Sequence, residues 1–92
     1  MLKVRFSGQF KKNFKKAEKR GKDMSKLKKI LTLLSNEDVL PPANKDHALT
    51  GDWKSFRECH IEPDWLLIYR INNDILELIA QRTGTHSELL NK

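Results

Sequence analysis

The stretch WLLIYRI, residues 65 to 71, decides the fold of this chain. A short, almost wholly apolar run between polar turn residues is typical of a central β-strand that is buried on both faces. Strand patterns flank it on either side, WKSFRECHI at 53–61 and ILELIAQR at 75–82. Two polar turns connect the three segments, EP at 62–63 and NND at 72–74. The spacing predicts an antiparallel sheet built from consecutive hairpins.

The N-terminal part is predicted to add one strand and two helices. Residues 2–6, LKVRF, alternate apolar and charged side chains, as a half-buried strand does. Ser7 and Asp23 each precede apolar residues at helical spacing, so each is predicted to cap a helix, and Gly21 separates the two. Gly84 is predicted to end the last strand before a short C-terminal helical turn.

These elements predict an α+β fold, with the helical hairpin packed on an antiparallel sheet of about four strands. The segment 35–52 is predicted to be a loop because Pro41 and Pro42 exclude a helix. A chain of 92 residues builds one core, so we expect a single domain over residues 1–92. The single cysteine, Cys59, and the lack of a signal peptide or a long apolar run indicate a cytoplasmic protein with no membrane segment.

Charge is distributed unevenly along the chain. Residues 1–35 carry twelve Lys or Arg against two acidic residues, whereas residues 36–92 carry six against ten. This asymmetry favours a polyanion as the partner of the helices. The alternative is that the lysines only keep a small protein soluble.

Polar residues are predicted to gather at one end of the sheet. If 72–74 is the hairpin loop, Asp64 lies opposite Arg82, and the turn at 62–63 places His60 beside Trp65. The break at Gly84 then lets the chain present a further histidine of the polar cluster RTGTH, which begins at Arg82.

Such residues suit cleavage of an RNA phosphodiester, in which the 2′-hydroxyl is the nucleophile. Histidines such as His60 and His86 exchange protons near neutral pH, an arginine holds phosphate oxygens, and an aspartate can orient a histidine or act as the base. Plainer interpretations remain open: Asp64 and Arg82 as a cross-strand ion pair, and the tryptophans as core. The histidine spacing and the lone cysteine do not favour a metal site, and no cofactor is expected.

The chain resembles the YafQ branch of the RelE/ParE superfamily, the toxins of type II toxin–antitoxin systems. The similarity covers essentially the full length and is most specific in KDHALTGDWKSFRECHIEPDWLLIY and RTGTHSELL. It implies a RelE-like fold and a ribosome-dependent endoribonuclease that cuts mRNA in the A site. Carried over by position, the resemblance implies catalytic roles for His47, His60, Asp64, Arg82 and His86. It implies RNA contacts by Trp65, Lys15, Lys16, Lys28 and Lys29.

Within that resemblance, His86 is expected to be the general acid, and Asp64 or His60 the base. Arg82 would stabilise the phosphorane, and His47 would orient substrate or stabilise charge. The chain departs from the family at Leu90, where other members often have phenylalanine, so a stacking contact there is not expected to carry over.

The resemblance also implies partners: a DinJ/RelB-like antitoxin, and the ribosome through 16S rRNA and A-site mRNA. DNA would be met only through the antitoxin complex. Two other functions stay open. One is a non-catalytic toxin that binds gyrase, and the other is a nucleic-acid-binding module in which the histidines are incidental.

Overall fold

The computed structural model describes residues 1–90, and for Leu90 it describes the backbone only. The expectation about the Leu90 side chain therefore lies outside the described residues. Five strands, three helices and two single 3₁₀ turns follow one another along the chain. The strands are β1 Lys3–Phe6, β2 His47–Ala48, β3 Arg57–Glu62, β4 Trp65–Asn72 and β5 Glu77–Gly84, the helices are α1 Gly8–Lys19, α2 Met24–Ser35 and α3 His86–Leu90, and the 3₁₀ turns are Pro42–Asn44 and Gly51–Trp53.

The predicted helix starts are confirmed. The Ser7 hydroxyl accepts a hydrogen bond from the Phe10 amide at 2.9 Å, so it satisfies one of the free amides at the start of α1. Asp23 caps α2 in the same way through the Ser25 amide. Gly21, with a φ of 79°, makes the turn between the helices at little cost in strain.

The α+β class and the helical hairpin are confirmed, but the sheet has five strands and is mixed. Its order is β1-β5-β4-β3-β2, with β1 parallel to β5 and the other pairs antiparallel. No hairpin joins β1 to β5, so no turn forces these strands to be antiparallel. The short strand β2 lies in the segment expected to be a loop, and β3 begins at Arg57 rather than at Trp53.

The central strand β4 is buried on both faces, as its apolar run predicts. Trp65, Leu67 and Tyr69 face the helices, in a core that includes Phe10 and Leu27. The other side chains of the strand point to the opposite side, which we call the distal face of the sheet. Leu66 and Ile68 form a second cluster there with Leu89, flanked by Leu49, Trp53 and Phe56.

The predicted register between β4 and β5 is wrong. Arg82 pairs with Ile68, not with Asp64, because the hairpin turn occupies residues 73–76 and the loop is therefore longer than NND. His60 pairs with Leu66, so its predicted position beside Trp65 is also wrong; Glu62 takes that position instead. The reason is a shift in the β3–β4 register between His60 and Glu62.

Candidate active site

The distal face receives functional side chains from three strands. Alternation along β3 places Glu58 and His60 on the same face, opposite Ile68 and Leu66 respectively. His47 on β2 pairs with Glu58 and so lies on this face too. The three polar side chains thus adjoin one another over an apolar floor.

A β-bulge brings Arg82 to the same face. Tyr69 pairs with Ala80, but its neighbour Ile68 pairs with Arg82, which leaves Gln81 as an extra residue on β5. An extra residue reverses the alternation of the strand beyond it. Without the bulge, Arg82 would point toward the helices.

Helix α3 adds His86 through a capping box. The Thr85 hydroxyl accepts from the Glu88 amide at 3.2 Å, and the Glu88 carboxylate accepts from the Thr85 amide at 3.0 Å. Lys16 and Arg20 of α1 donate to the same carboxylate, at 2.6 and 3.2 Å, and these bonds lower the pKa of Glu88 to about 2. The start of α3 is therefore held against α1.

Asp64 holds the His86 ring. Its Oδ1 accepts from the His86 backbone amide at 3.1 Å and from His86 Nδ1 at 2.9 Å, and these two hydrogen bonds lower the pKa of Asp64. With Nδ1 protonated toward the carboxylate, Nε2 is the ring atom left for substrate. His60 is oriented in a similar way, since its Nδ1 lies 3.2 Å from the Pro63 carbonyl.

The two imidazoles lie next to each other. Their ring centroids are 5.4 Å apart and the ring planes are tilted by 60°. The side chain of His60 is 15% exposed and that of His86 is 45% exposed, so both can be reached from solvent. The two rings therefore border the same space, and each can exchange a proton with a ligand bound there.

Glu58 is a site residue that the sequence analysis missed. Its side chain is 4% exposed, and its Oε1 lies 3.5 Å from His47 Nε2 and 3.9 Å from His60 Nε2. Its Oε2 has no hydrogen-bond partner. Burial of a carboxylate without full pairing is destabilising, so Glu58 is a candidate functional residue. A signal existed: Glu58 stands two residues before His60 in a strand.

Arg82 forms no ion pair within residues 1–90, where no carboxylate lies within 4.0 Å of it. The alternative of a cross-strand ion pair with Asp64 is therefore wrong. Its guanidinium stacks over the Trp53 ring at 5.3 Å, and its Nε is buried without a partner. The positive charge is thus held in place by an aromatic ring and not by an acidic group.

Trp65 does not fit the predicted RNA contact. It is 1% exposed on the helix side of the sheet, and its Nε1 donates to Thr83 Oγ1 at 2.9 Å. Alternation along β4 turns it away from the histidines, so its role is in the core. The four candidate lysines Lys15, Lys16, Lys28 and Lys29 are exposed on the helices, which cover the other face of the sheet.

Three of the site residues also suit a metal ion. Glu58, His60 and His86 each offer one ligand atom, and these atoms lie within 4.8 Å of one another. One carboxylate oxygen and two imidazole nitrogens are a donor set that copper, zinc and nickel accept. Cys59 is not part of this cluster, since it is buried on the helix side and burial raises the pKa of its thiol to about 12.

Residues 2–91 match the family described as bacterial toxin of type II toxin-antitoxin system, YafQ. The chain belongs to the YafQ toxin family. The mRNA interferase toxin YafQ of Escherichia coli K12 is 49% identical over 87 residues, which are 94% of this chain and 92% of that protein. The predicted membership of a toxin–antitoxin system is therefore confirmed.

Solved YafQ-family structures share the fold. The E. coli DinJ–YafQ complex contains a chain with a TM-score of 0.88 and 47% identity, covering 98% of this chain and 99% of that one. A copper-bound variant toxin from Helicobacter pylori has a TM-score of 0.93 and 44% identity, covering 98% and 100%. Within residues 1–90 of this YafQ-family toxin, every helix is too short or too polar to cross a bilayer.

Proposed function

We propose that this YafQ-family toxin is a ribosome-dependent endoribonuclease that cuts mRNA in the A site and acts as a single cytoplasmic domain. The observation that carries the proposal is the adjacency of His60 and His86, each with Nδ1 engaged in a hydrogen bond and Nε2 left for substrate. The relatives named mRNA interferase support the same class of reaction.

His60 is the better candidate for the base. In the neutral form of the ring that donates from Nδ1 to Pro63, a free electron pair on Nε2 can take the proton of the 2′-hydroxyl. Asp64 is the weaker candidate because its Oδ1 already accepts two hydrogen bonds from His86, and its lowered pKa makes it a poor base. The 2′-oxygen then attacks phosphorus.

His86 is the acid. Its protonated ring donates through Nε2 to the 5′-oxygen as the bond from phosphorus to that oxygen breaks. Asp64 keeps the ring in position and stabilises the positive charge that the ring carries beforehand. The products are a 2′,3′-cyclic phosphate and a 5′-hydroxyl end, and the proton count balances because one ring gains the proton that the other ring loses.

Arg82 and Glu58 set the charge around the phosphate. The Arg82 guanidinium, which has no carboxylate partner among residues 1–90, can stabilise the additional negative charge of the phosphorane. Glu58 lies within 3.9 Å of His60 and stabilises that ring once it is protonated. His47, held through Nδ1 by the Lys45 carbonyl at 2.7 Å, orients Glu58.

The two layers of the molecule have separate tasks in this proposal. The distal face takes the message, while ribosomal RNA, whose phosphates attract positive charge, is contacted by four exposed lysines of α1 and α2: Lys15, Lys16, Lys28 and Lys29. The partner that neutralises the toxin is a DinJ-like antitoxin, as the DinJ–YafQ complexes of the E. coli relative support. DNA is met only through that complex.

Primer extension on a message in a reconstituted translation reaction tests the proposal. Wild type should give cuts in frame with codons, and His86→Ala and His60→Gln should abolish them while circular dichroism shows an unchanged fold. Asp74→Asn, in the hairpin turn at 73–76, is the control and should cut as wild type does. If wild type leaves the message intact in this reaction, and cells that express it nevertheless stop growing, a binding target such as gyrase is indicated instead.

Binding of a metal ion by Glu58, His60 and His86 is a second candidate function of the same site. The ligand geometry and the copper-bound H. pylori relative favour it. A bound ion would occupy the two imidazoles that the proton transfers need, so we expect binding to inhibit cleavage.

A further inference from the structure

The arginines of this chain fall into two groups. Three of the five are ion-paired with a carboxylate: Arg5 with Glu77, Arg20 with Glu88, and Arg57 with Asp46. Among residues 1–90, Arg70 and Arg82 have no carboxylate within 4.0 Å, and in both the Nε is buried without a hydrogen-bond partner. An arginine kept apart from acidic groups is ready to bind an anion.

Both unpaired arginines are held by one pair of aromatic rings. Arg82 lies over Trp53 at 5.3 Å and Arg70 lies over Phe56 at 5.6 Å. The rings of Trp53 and Phe56 contact each other edge to face, with centroids 5.2 Å apart. The four side chains thus form one continuous stack on the distal face, which restricts each guanidinium without neutralising it.

The strand register places the two arginines close together on the distal face. Arg70 pairs with Ile79 and Arg82 pairs with Ile68, so the two residues are diagonal neighbours across β4 and β5, with the bulge at Gln81 between them. The backbones of diagonal neighbours in a regular ladder are about 7 to 8 Å apart. Two phosphates that follow each other along an extended RNA strand can span such a separation.

We propose that Arg70, oriented by Phe56, forms a second phosphate subsite that binds the RNA phosphate next to the scissile one. The inference rests on the proposed function, in which Arg82 binds the scissile phosphate. A guanidinium makes two parallel hydrogen bonds to phosphate oxygens, so two neighbouring arginines fix both the position and the direction of the strand. Arg70 then aligns the substrate and takes no part in proton transfer.

A purely structural role for Arg70 would have a different consequence. If the guanidinium only covers the Phe56 ring, Arg70→Gln should lower the thermal stability and leave RNA affinity unchanged. A phosphate subsite should change affinity and its dependence on salt, because each phosphate contact releases counterions.

The test measures the binding of a fluorescein-labelled single-stranded RNA oligonucleotide by fluorescence anisotropy at several salt concentrations. In this oligonucleotide, 2′-O-methyl groups block cleavage. Arg70→Gln should weaken binding about 10-fold, the usual loss for one charged hydrogen-bonded contact. The slope of log affinity against log salt should fall by about 0.7. Arg70→Lys, which keeps the charge and loses the planar fork, should lie between wild type and Arg70→Gln.

Lys12→Gln is the matched control, since it removes the same charge from the exposed surface of α1 on the other side of the sheet. Its affinity should stay within about twofold of wild type. Equal binding by Arg70→Gln and Lys12→Gln would overturn the subsite. This result would leave the proposed function intact if wild type still cuts the message during translation. An uncut message would instead refute the proposed function, whatever the oligonucleotide affinities are.

Discussion

One carboxylate oxygen, Asp64 Oδ1, accepts hydrogen bonds from both the backbone amide and the Nδ1 of His86. The first bond fixes where α3 begins, and the second fixes the ring and its protonated nitrogen. Position and protonation of the proposed acid therefore depend on a residue that precedes it by 22 positions.

Removing the Asp64 carboxylate should slow cleavage strongly and should change the free energy of unfolding only slightly. We expect Asp64→Ala to lower the cleavage rate about 10²-fold, within the usual range for acid–base catalysis. Asp64→Asn should be less harmful because its amide oxygen can still accept the two bonds. Single-turnover cleavage on programmed ribosomes measures the effect, and wild-type rates for Asp64→Ala would contradict the proposed role.

Glu58→Gln should make the protein more stable and less active. Glu58 Oε2 is buried without a hydrogen-bond partner, and replacing the carboxylate by a neutral amide should raise the free energy of unfolding by about 1 kcal/mol. Cleavage should fall at least 10-fold because protonated His60 loses its stabilising charge. Urea unfolding and cleavage assays measure the two effects, with Glu18→Gln on exposed α1 as the control. If Glu58→Gln is destabilised, the carboxylate is structural.

Acid should weaken the attachment of α3 to α1 through Glu88. Its pKa is about 2 in the folded protein and near 4.5 otherwise, so the folded state binds fewer protons between these values. The contribution of Glu88 is complete above about pH 4.5 and is lost as the pH falls toward 2. Urea unfolding at pH 3 and pH 5 should show a larger loss for wild type than for Glu88→Gln. Equal losses would show that the ion pairs to Lys16 and Arg20 do not stabilise the fold.

The position of Trp65 in the core can be tested through its hydrogen bond to Thr83. The Thr83 hydroxyl donates to the Leu66 carbonyl at 2.7 Å and accepts from Trp65 Nε1, all within the core. Thr83→Val should destabilise the fold by about 1 to 3 kcal/mol, because both partners lose a buried hydrogen bond. Trp65→Phe and Thr83→Val should be non-additive in thermal unfolding, since they remove the same bond. A weaker RNA affinity for stable Trp65→Phe would restore the predicted RNA contact.

Copper(II) should bind at the histidine pair and stop cleavage, with recovery after addition of EDTA. Titration calorimetry on the free protein measures binding apart from activity. His60→Gln should weaken binding at least 10-fold because it removes one of three ligands. Asp74→Asn is the control, as Asp74 lies in the hairpin turn at 73–76 and outside the ligand set, and it should bind as wild type does. Equal weakening of copper binding by both variants would show that the metal binds elsewhere.

Sequence pattern alone determined the α+β class, the helix caps at Ser7 and Asp23, and the buried central strand. These features depend on residues that are close together in the chain, whose periodicity and capping chemistry are local. The full-length similarity in turn identified the toxin family, and it predicts that His60, Asp64 and His86 belong to one site.

Only the tertiary structure decided which side chains face one another. Hairpin arithmetic placed Asp64 opposite Arg82, but a longer turn and an extra residue at Gln81 shifted the register and turned Arg82 to the distal face. Glu58 became a site residue only once its face and its burial were known. Side chains alternate with a period of two along a strand, so a single bulge reverses their faces, and the strand's apolar pattern does not show where that bulge falls.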